Sequence, residues 1–128
     1  MADKPDYLTL NEILQLHAEQ ITLFGGAHGI RDVGQLEAAI GRPQQGYYPD
    51  IIAEASALWE SLSQNHPFVD GNKRTAFASM HVFLLINGWR LTADHEETWL
   101  FVSSLYETHS FRFDVLEPWL RQHVVKAK

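Results

Sequence analysis

Apolar residues at Ile13, Leu14, Leu16, Ile21 and Phe24 keep approximate helical spacing behind the capping signature Thr9-Leu10-Asn11-Glu12, with Leu8 and Ile13 in staple positions. The pattern predicts a first helix, stopped by Gly25-Gly26. The same start signal recurs at Asp32, with Gln35 three residues on, and predicts a short helix that Gly41 and Pro43 end. A third helix is predicted from a cap at Asp50 through Ile51, Ala55, Leu58, Trp59 and Leu62. It ends near Asn65, because Pro67 pushes His66 out of the helical region. From Thr75 to Asn87 apolar side chains fall on nearly every face, the signature of a buried central helix. Beyond Gly88, Asp94 with Glu97 opens a fifth helix and Asp114 with Glu117 a sixth, with Pro118 at the edge of its first turn. Trp89 to Leu91 is a short extended piece. About six helices around a buried central one make an all-α fold.

Composition narrows the picture. A chain of 128 residues is expected to form a single domain over residues 1–128. Cysteine is absent, which excludes a disulfide framework and thiolate metal sites and suits a reducing compartment. No signal-peptide pattern opens the chain, and the longest apolar-rich run, Phe77 to Ile86, is too short to span a bilayer. A cytoplasmic protein without membrane partners is expected. The formal charge of −6 argues against direct binding to nucleic acid. Arg121, Lys126 and Lys128 are expected as cations favoured at a helix C-terminus. The seven histidines include no close metal-ligating pair, and Gly25 to Gly29 lacks the ending of a nucleotide P-loop. His17 is expected to be a hydrogen-bonded structural residue, and Trp99, Tyr106 and Trp119 to be core.

The chemistry concentrates in His66-Pro67-Phe68-Val69-Asp70-Gly71-Asn72-Lys73-Arg74, between the third helix and the central fourth. Lys73 and Arg74 stand where the helix begins, against its macrodipole. An anion held by the free amides of Gly71, Asn72 and Lys73 would reverse that cost. Asp70 offers a hard oxygen ligand suited to Mg²⁺ shared with substrate phosphates, and His66 a side chain suited to general-base work near neutral pH. Base, metal ligand, anion cradle and cationic clamps are the parts of phosphoryl or nucleotidyl transfer to a hydroxyl. Each residue also has a plain structural reading: His66 as a helix end, Asp70 as an N-cap, Lys73 and Arg74 as solvated charges.

This stretch resembles the signature loop of the Fic/Doc superfamily, and its Asn-Lys-Arg ending resembles the Doc (death on curing) toxin branch. Phe24-Gly25-Gly26, Gly29-Ile30-Arg31-Asp32, Leu36 to Ile40, Arg42-Pro43, Phe83-Leu84 and Asn87-Gly88 extend the similarity from Leu8 to about Val124. The resemblance implies an all-α Fic fold with the active loop at the N-terminus of the central helix. It implies His66 as catalytic base, Asp70 as Mg²⁺ ligand, and Gly71, Asn72, Lys73 and Arg74 as the ATP-phosphate site, with Arg74 also catalytic. Arg42 to Pro49, with Tyr47 and Tyr48, would be a flap that aligns a target segment by strand-like pairing. Doc toxins phosphorylate elongation factor Tu, arresting translation, and are inhibited by a Phd-type antitoxin.

Adenylylating Fic enzymes have a second glycine where Lys73 stands. The lysine removes the room that glycine leaves, and the resemblance to Doc implies ATP held with its γ-phosphate toward the acceptor, which favours a kinase over an adenylyltransferase, while intact His66, Asp70 and Arg74 weigh against a catalytically dormant binding subunit. Ser56 and Glu60 have the spacing of the self-inhibitory Fic motif, but Ser61 replaces its Gly or Asn. Inhibition by a separate partner is the expectation.

Overall fold

The computed structural model describes residues 4–127. They form six α-helices: α1 (Leu10–Phe24), α2 (Val33–Gly41), α3 (Ile51–Gln64), α4 (Asn72–Ile86), α5 (His95–Glu107) and α6 (Phe113–Gln122). A 3₁₀ turn at Arg42–Gln44 follows α2, and two short strands, β1 (Trp89–Leu91) and β2 (Val124–Lys126), pair antiparallel. The fold is all-α, as the periodicity predicts. No described helix is long and apolar enough to cross a membrane.

Four helix starts follow the capping signals. Thr9 and Glu12 close a complete capping box, and the carboxylates of Asp32, Asp50 and Asp94 accept from the amides of Gln35, Ala53 and Glu97. Such a cap contributes about 1 kcal/mol. The sixth helix departs from expectation: it begins at Phe113 with Arg112 as N-cap, and Pro118 lies inside it. Glu60 on α3 takes over the capping role by accepting from the Phe113 amide at 2.8 Å. A tertiary partner has displaced the local signal.

The core also differs from the expectation of a fourth helix enclosed on every side. The helix enclosed along nearly its whole length is α3, where Ile52 through Trp59 and Ser61 through Ser63 are all buried. Alanines and serines let α2, α4 and α6 approach it closely, and Ser56 satisfies its hydroxyl on the Ile52 carbonyl at 2.9 Å. α4 buries Ala76, Met80, Phe83 and Leu84, but Leu85 and Ile86 at its end are exposed. Its apolar-rich sequence overstates its burial. Trp59 fills the centre, edge-on to Phe77 and Phe111 and tilted against Trp119.

Two aromatic expectations hold in part. Tyr106 stacks on Phe111 and Trp119 on Phe101, both half-buried, whereas Trp99 on the outer face of α5 is 63% exposed. In the tail, Arg121 occupies the last turn of α6 and pairs with Asp50 and Glu117. Lys126 belongs instead to β2, with its ammonium over the Trp89 ring, because β-branched Val124 and Val125 pair with β1 once α6 has ended. Lys128 lies outside the described residues.

Candidate active site

The loop from Asn65 to Gly71 is pinned from beneath and from one side. His66 adopts a positive φ of 49°, the conformation that lets the chain leave α3 ahead of Pro67. Arg31 holds that turn: its Nε donates to the His66 carbonyl at 2.6 Å and its Nη2 to the Asn65 carbonyl at 2.8 Å. The amides of Arg31 and Asp32 both donate to the Pro67 carbonyl, and Val69 donates to Gly29. Ile30 and Phe68 form an antiparallel bridge.

Phe68 is the buried anchor, stacked on His17 with ring centroids 3.8 Å apart. His17, itself buried, places Nε2 2.8 Å from the Asp70 carbonyl. A carbonyl only accepts, so that nitrogen carries the proton. His17 is the structural residue its position on the α1 face predicts. The Asn72 side chain bonds both backbone groups of Phe68, accepting from its amide at 2.9 Å and donating to its carbonyl at 3.0 Å.

α4 starts at Asn72, three residues before the apolar pattern becomes visible. Gly71 is its N-cap in the left-handed region (φ 75°), with no side-chain cap. The Gly71 amide is taken by Asp70 Oδ1 at 2.9 Å, so the expected set of free amides shifts by one residue. Among the described residues none accepts from the amides of Asn72, Lys73 or Arg74, the first turn that intrahelical bonding leaves open.

Asp70 is exposed, and its other oxygen accepts from the Ala27 amide at 3.2 Å. Ala27, Gly71 and the nearby Arg74 charge hold its carboxyl below the usual carboxylate range. It is ionised at any physiological pH. Gly26 makes room for it, since a Cβ there would fall 2.7 Å from Oδ2. No cluster of three or more metal-ligating side chains occurs among the described residues. One exposed, ionised carboxylate beside free amides fits Mg²⁺ that is shared with substrate phosphates rather than caged by protein.

The two cations have partners that the sequence did not disclose. Arg74 Nη2 donates to the Gly25 carbonyl at 3.0 Å, with its guanidinium over the Phe24 ring. Gly25 is the C-cap of α1, so Arg74 stands at the negative end of one helix while opening another. That offsets part of its cost without any anion. The Lys73 ammonium lies 4.3 Å from the centroid of the Tyr106 ring on α5. The structure thus gathers Asp70, Gly71, Lys73 and Arg74 at one helix mouth, with His66 exposed on the pinned turn leading to it. Arg31, Gly26 and Tyr106 were missed as site-building residues because their roles exist only across elements distant in sequence.

Glu60 and the segment before α3 complete the surroundings. Glu60 is bound at both oxygens, by Arg42 Nη1 at 2.6 Å and by the Phe113 amide, and so braces α3 against its neighbours. Arg42 also donates to the Tyr48 hydroxyl, fixing Tyr48 against Phe113, whereas Tyr47 is 83% exposed. Residues 45–50 contain neither helix nor strand.

A short pinned loop, an ionised carboxylate and open helix amides thus lie together on an all-α scaffold. A family model described as Fic/DOC family matches residues 7–84. Toxin Doc of Mycolicibacterium smegmatis is 43% identical over 99 residues, covering 73% of this chain and 69% of the relative. Protein kinase doc of Escherichia phage P1 is 38% identical over 86 residues, covering 64% and 68%. The chain belongs to the Fic/DOC family, on its Doc branch.

Proposed function

We propose that the protein is the toxin of a toxin-antitoxin pair and transfers the γ-phosphoryl group of ATP to a Ser or Thr hydroxyl of a translation factor. The observation that carries this reading is the single mouth at which Asp70, the open α4 amides and the two cations meet, next to an exposed His66 whose backbone Arg31 fixes. The names of the relatives, a toxin and a protein kinase, support it.

His66 takes the proton of the acceptor hydroxyl as its oxygen attacks the γ-phosphorus. The bond between that phosphorus and the β,γ-bridging oxygen breaks, and ADP leaves with the electron pair. The amides of Asn72, Lys73 and Arg74 receive phosphate oxygens, while the side chains of Lys73 and Arg74 neutralise them. Asn72 contributes through its amide, because its side chain is committed to Phe68. Asp70 would hold Mg²⁺, which supplies further charge neutralisation when bound. Elongation factor Tu in the cytoplasm is the proposed acceptor and a Phd-type antitoxin the proposed inhibitor.

Incubation with elongation factor Tu, Mg²⁺ and ATP labelled at either the γ- or the α-phosphate tests this. Label from the γ-position alone, reduced roughly 10²–10⁴-fold in His66→Ala, is expected. Label from the α-position would make the protein an adenylyltransferase, and equal rates for wild type and His66→Ala would remove the base.

A further inference from the structure

Tyr106 lies on α5, outside residues 7–84 that the family model matches. Its ring is held on two sides: the face stacks on Phe111 at 4.6 Å with planes 5° apart, and its hydroxyl bonds Ser63 of α3 at 2.6 Å. Burial pushes that phenol up to about 12, although the Ser63 bond offsets part of the effect. The ring is therefore neutral and offers its quadrupole, with no phenolate charge. Above it sits Lys73, the second residue of α4, whose amide belongs to the open helix mouth.

We propose that Tyr106 is a positioning residue for Lys73: the immobilised ring holds the lysine ammonium beside the α4 N-terminus, so that a nucleotide phosphate meets a cation already in place. This rests on the reading of Lys73 as a phosphate-binding residue. A lysine side chain has four rotatable bonds, and fixing them on binding costs affinity. A ring that occupies one side of the ammonium pre-orders the chain and leaves N–H donors for phosphate oxygens. Because the ring is anchored to α3 and Phe111, α5 becomes part of the site although it contributes no reacting group.

The test compares Mg-ATP binding by titration calorimetry in wild type, Tyr106→Leu, Tyr106→Phe, Lys73→Met and the Tyr106→Leu/Lys73→Met double variant. Tyr106→Leu is expected to weaken binding roughly 3- to 30-fold, the range of a cation–π contact, while Tyr106→Phe, whose ring keeps its stack on Phe111, stays within about two-fold of wild type. With Lys73→Met already present, Tyr106→Leu should add less than about two-fold, because the contact it removes no longer exists. Proton NMR of the Lys73 side chain gives a readout independent of nucleotide: its ε-protons should be shifted upfield by the ring and return on Tyr106→Leu.

Equal losses from Tyr106→Leu in the presence and absence of Lys73 would overturn the proposal, as would an equal loss in Tyr106→Phe or tighter binding in Tyr106→Leu. A wild type that binds no Mg-ATP while the upfield lysine signals persist would overturn the nucleotide reading itself, and the role of Tyr106 toward phosphate with it. The two failures are thereby distinct.

Discussion

Arg31 Nε and the His66 carbonyl are 2.6 Å apart, a short charge-assisted bond between a turn after α1 and the proposed catalytic base. A second donor of the same guanidinium holds Asn65, so the planar fork fixes two successive carbonyls where the chain leaves α3. Lysine cannot reproduce that geometry. Arg31→Lys is expected to lower kcat for phosphoryl transfer by roughly 10- to 100-fold while leaving the KM for ATP near its wild-type value, because the defect lies in aiming His66. Steady-state kinetics with varied ATP checks the split; a change confined to KM would place Arg31 with the nucleotide.

Gly25 and Gly26 both have positive φ, yet a Cβ on Gly25 meets nothing while one on Gly26 strikes the Asp70 carboxylate. Both alanine variants should lose about 1–3 kcal/mol to backbone strain. Gly26→Ala alone should also raise the Mg²⁺ concentration needed for half-maximal activity. Magnesium titrations of the two variants, alongside their thermal melts, separate strain from displacement of the proposed metal ligand.

Glu60 is a brace between α3, Arg42 and the start of α6. Glu60→Ala strands the Arg42 guanidinium and the Phe113 amide, and should cost about 1.5–3 kcal/mol in urea unfolding. Phosphoryl transfer per folded molecule should not rise. An increase would show that Glu60 restrains the site.

Glu54 is buried on α3 with Oε1 lacking any hydrogen-bond partner among the described residues. Burial pushes its carboxyl up; the Tyr7 hydroxyl partly offsets this, and Asp50 adds to it. The native state therefore binds a proton more tightly than the unfolded chain, so this group's contribution falls as pH rises from about the ordinary value of 4.5 through the raised native one. Glu54→Gln should melt about 3 °C higher than wild type at pH 7 and lose that advantage at pH 4, as thermal melts across this range will show.

Much of this architecture is legible in the chain because its signals are local. Thr9, Asp32, Asp50 and Asp94 start helices through their own side chains, and Pro67 with Gly71 marks the loop regardless of what surrounds it. What sequence reading misplaced depends on partners far along the chain. Asp114 reads as a cap, but Glu60 supplies the acceptor from 53 residues away. Lys73 and Arg74 look like cations awaiting an anion, whereas Tyr106 and the C-terminal end of α1 already engage them. Val124 and Val125 declare a strand only once β1 lies alongside.

The far end of α4 carries a different consequence. Asn87 exchanges two hydrogen bonds with Asp6, and the Gly88 carbonyl accepts from Ala127, so residues 6 and 127 are both tied down just beyond that helix. With 15 residues rising about 1.5 Å each, they lie on the order of 20 Å from the loop at its other end. A fluorophore attached at position 6 or 127 would therefore report on the molecule without crowding the pinned loop.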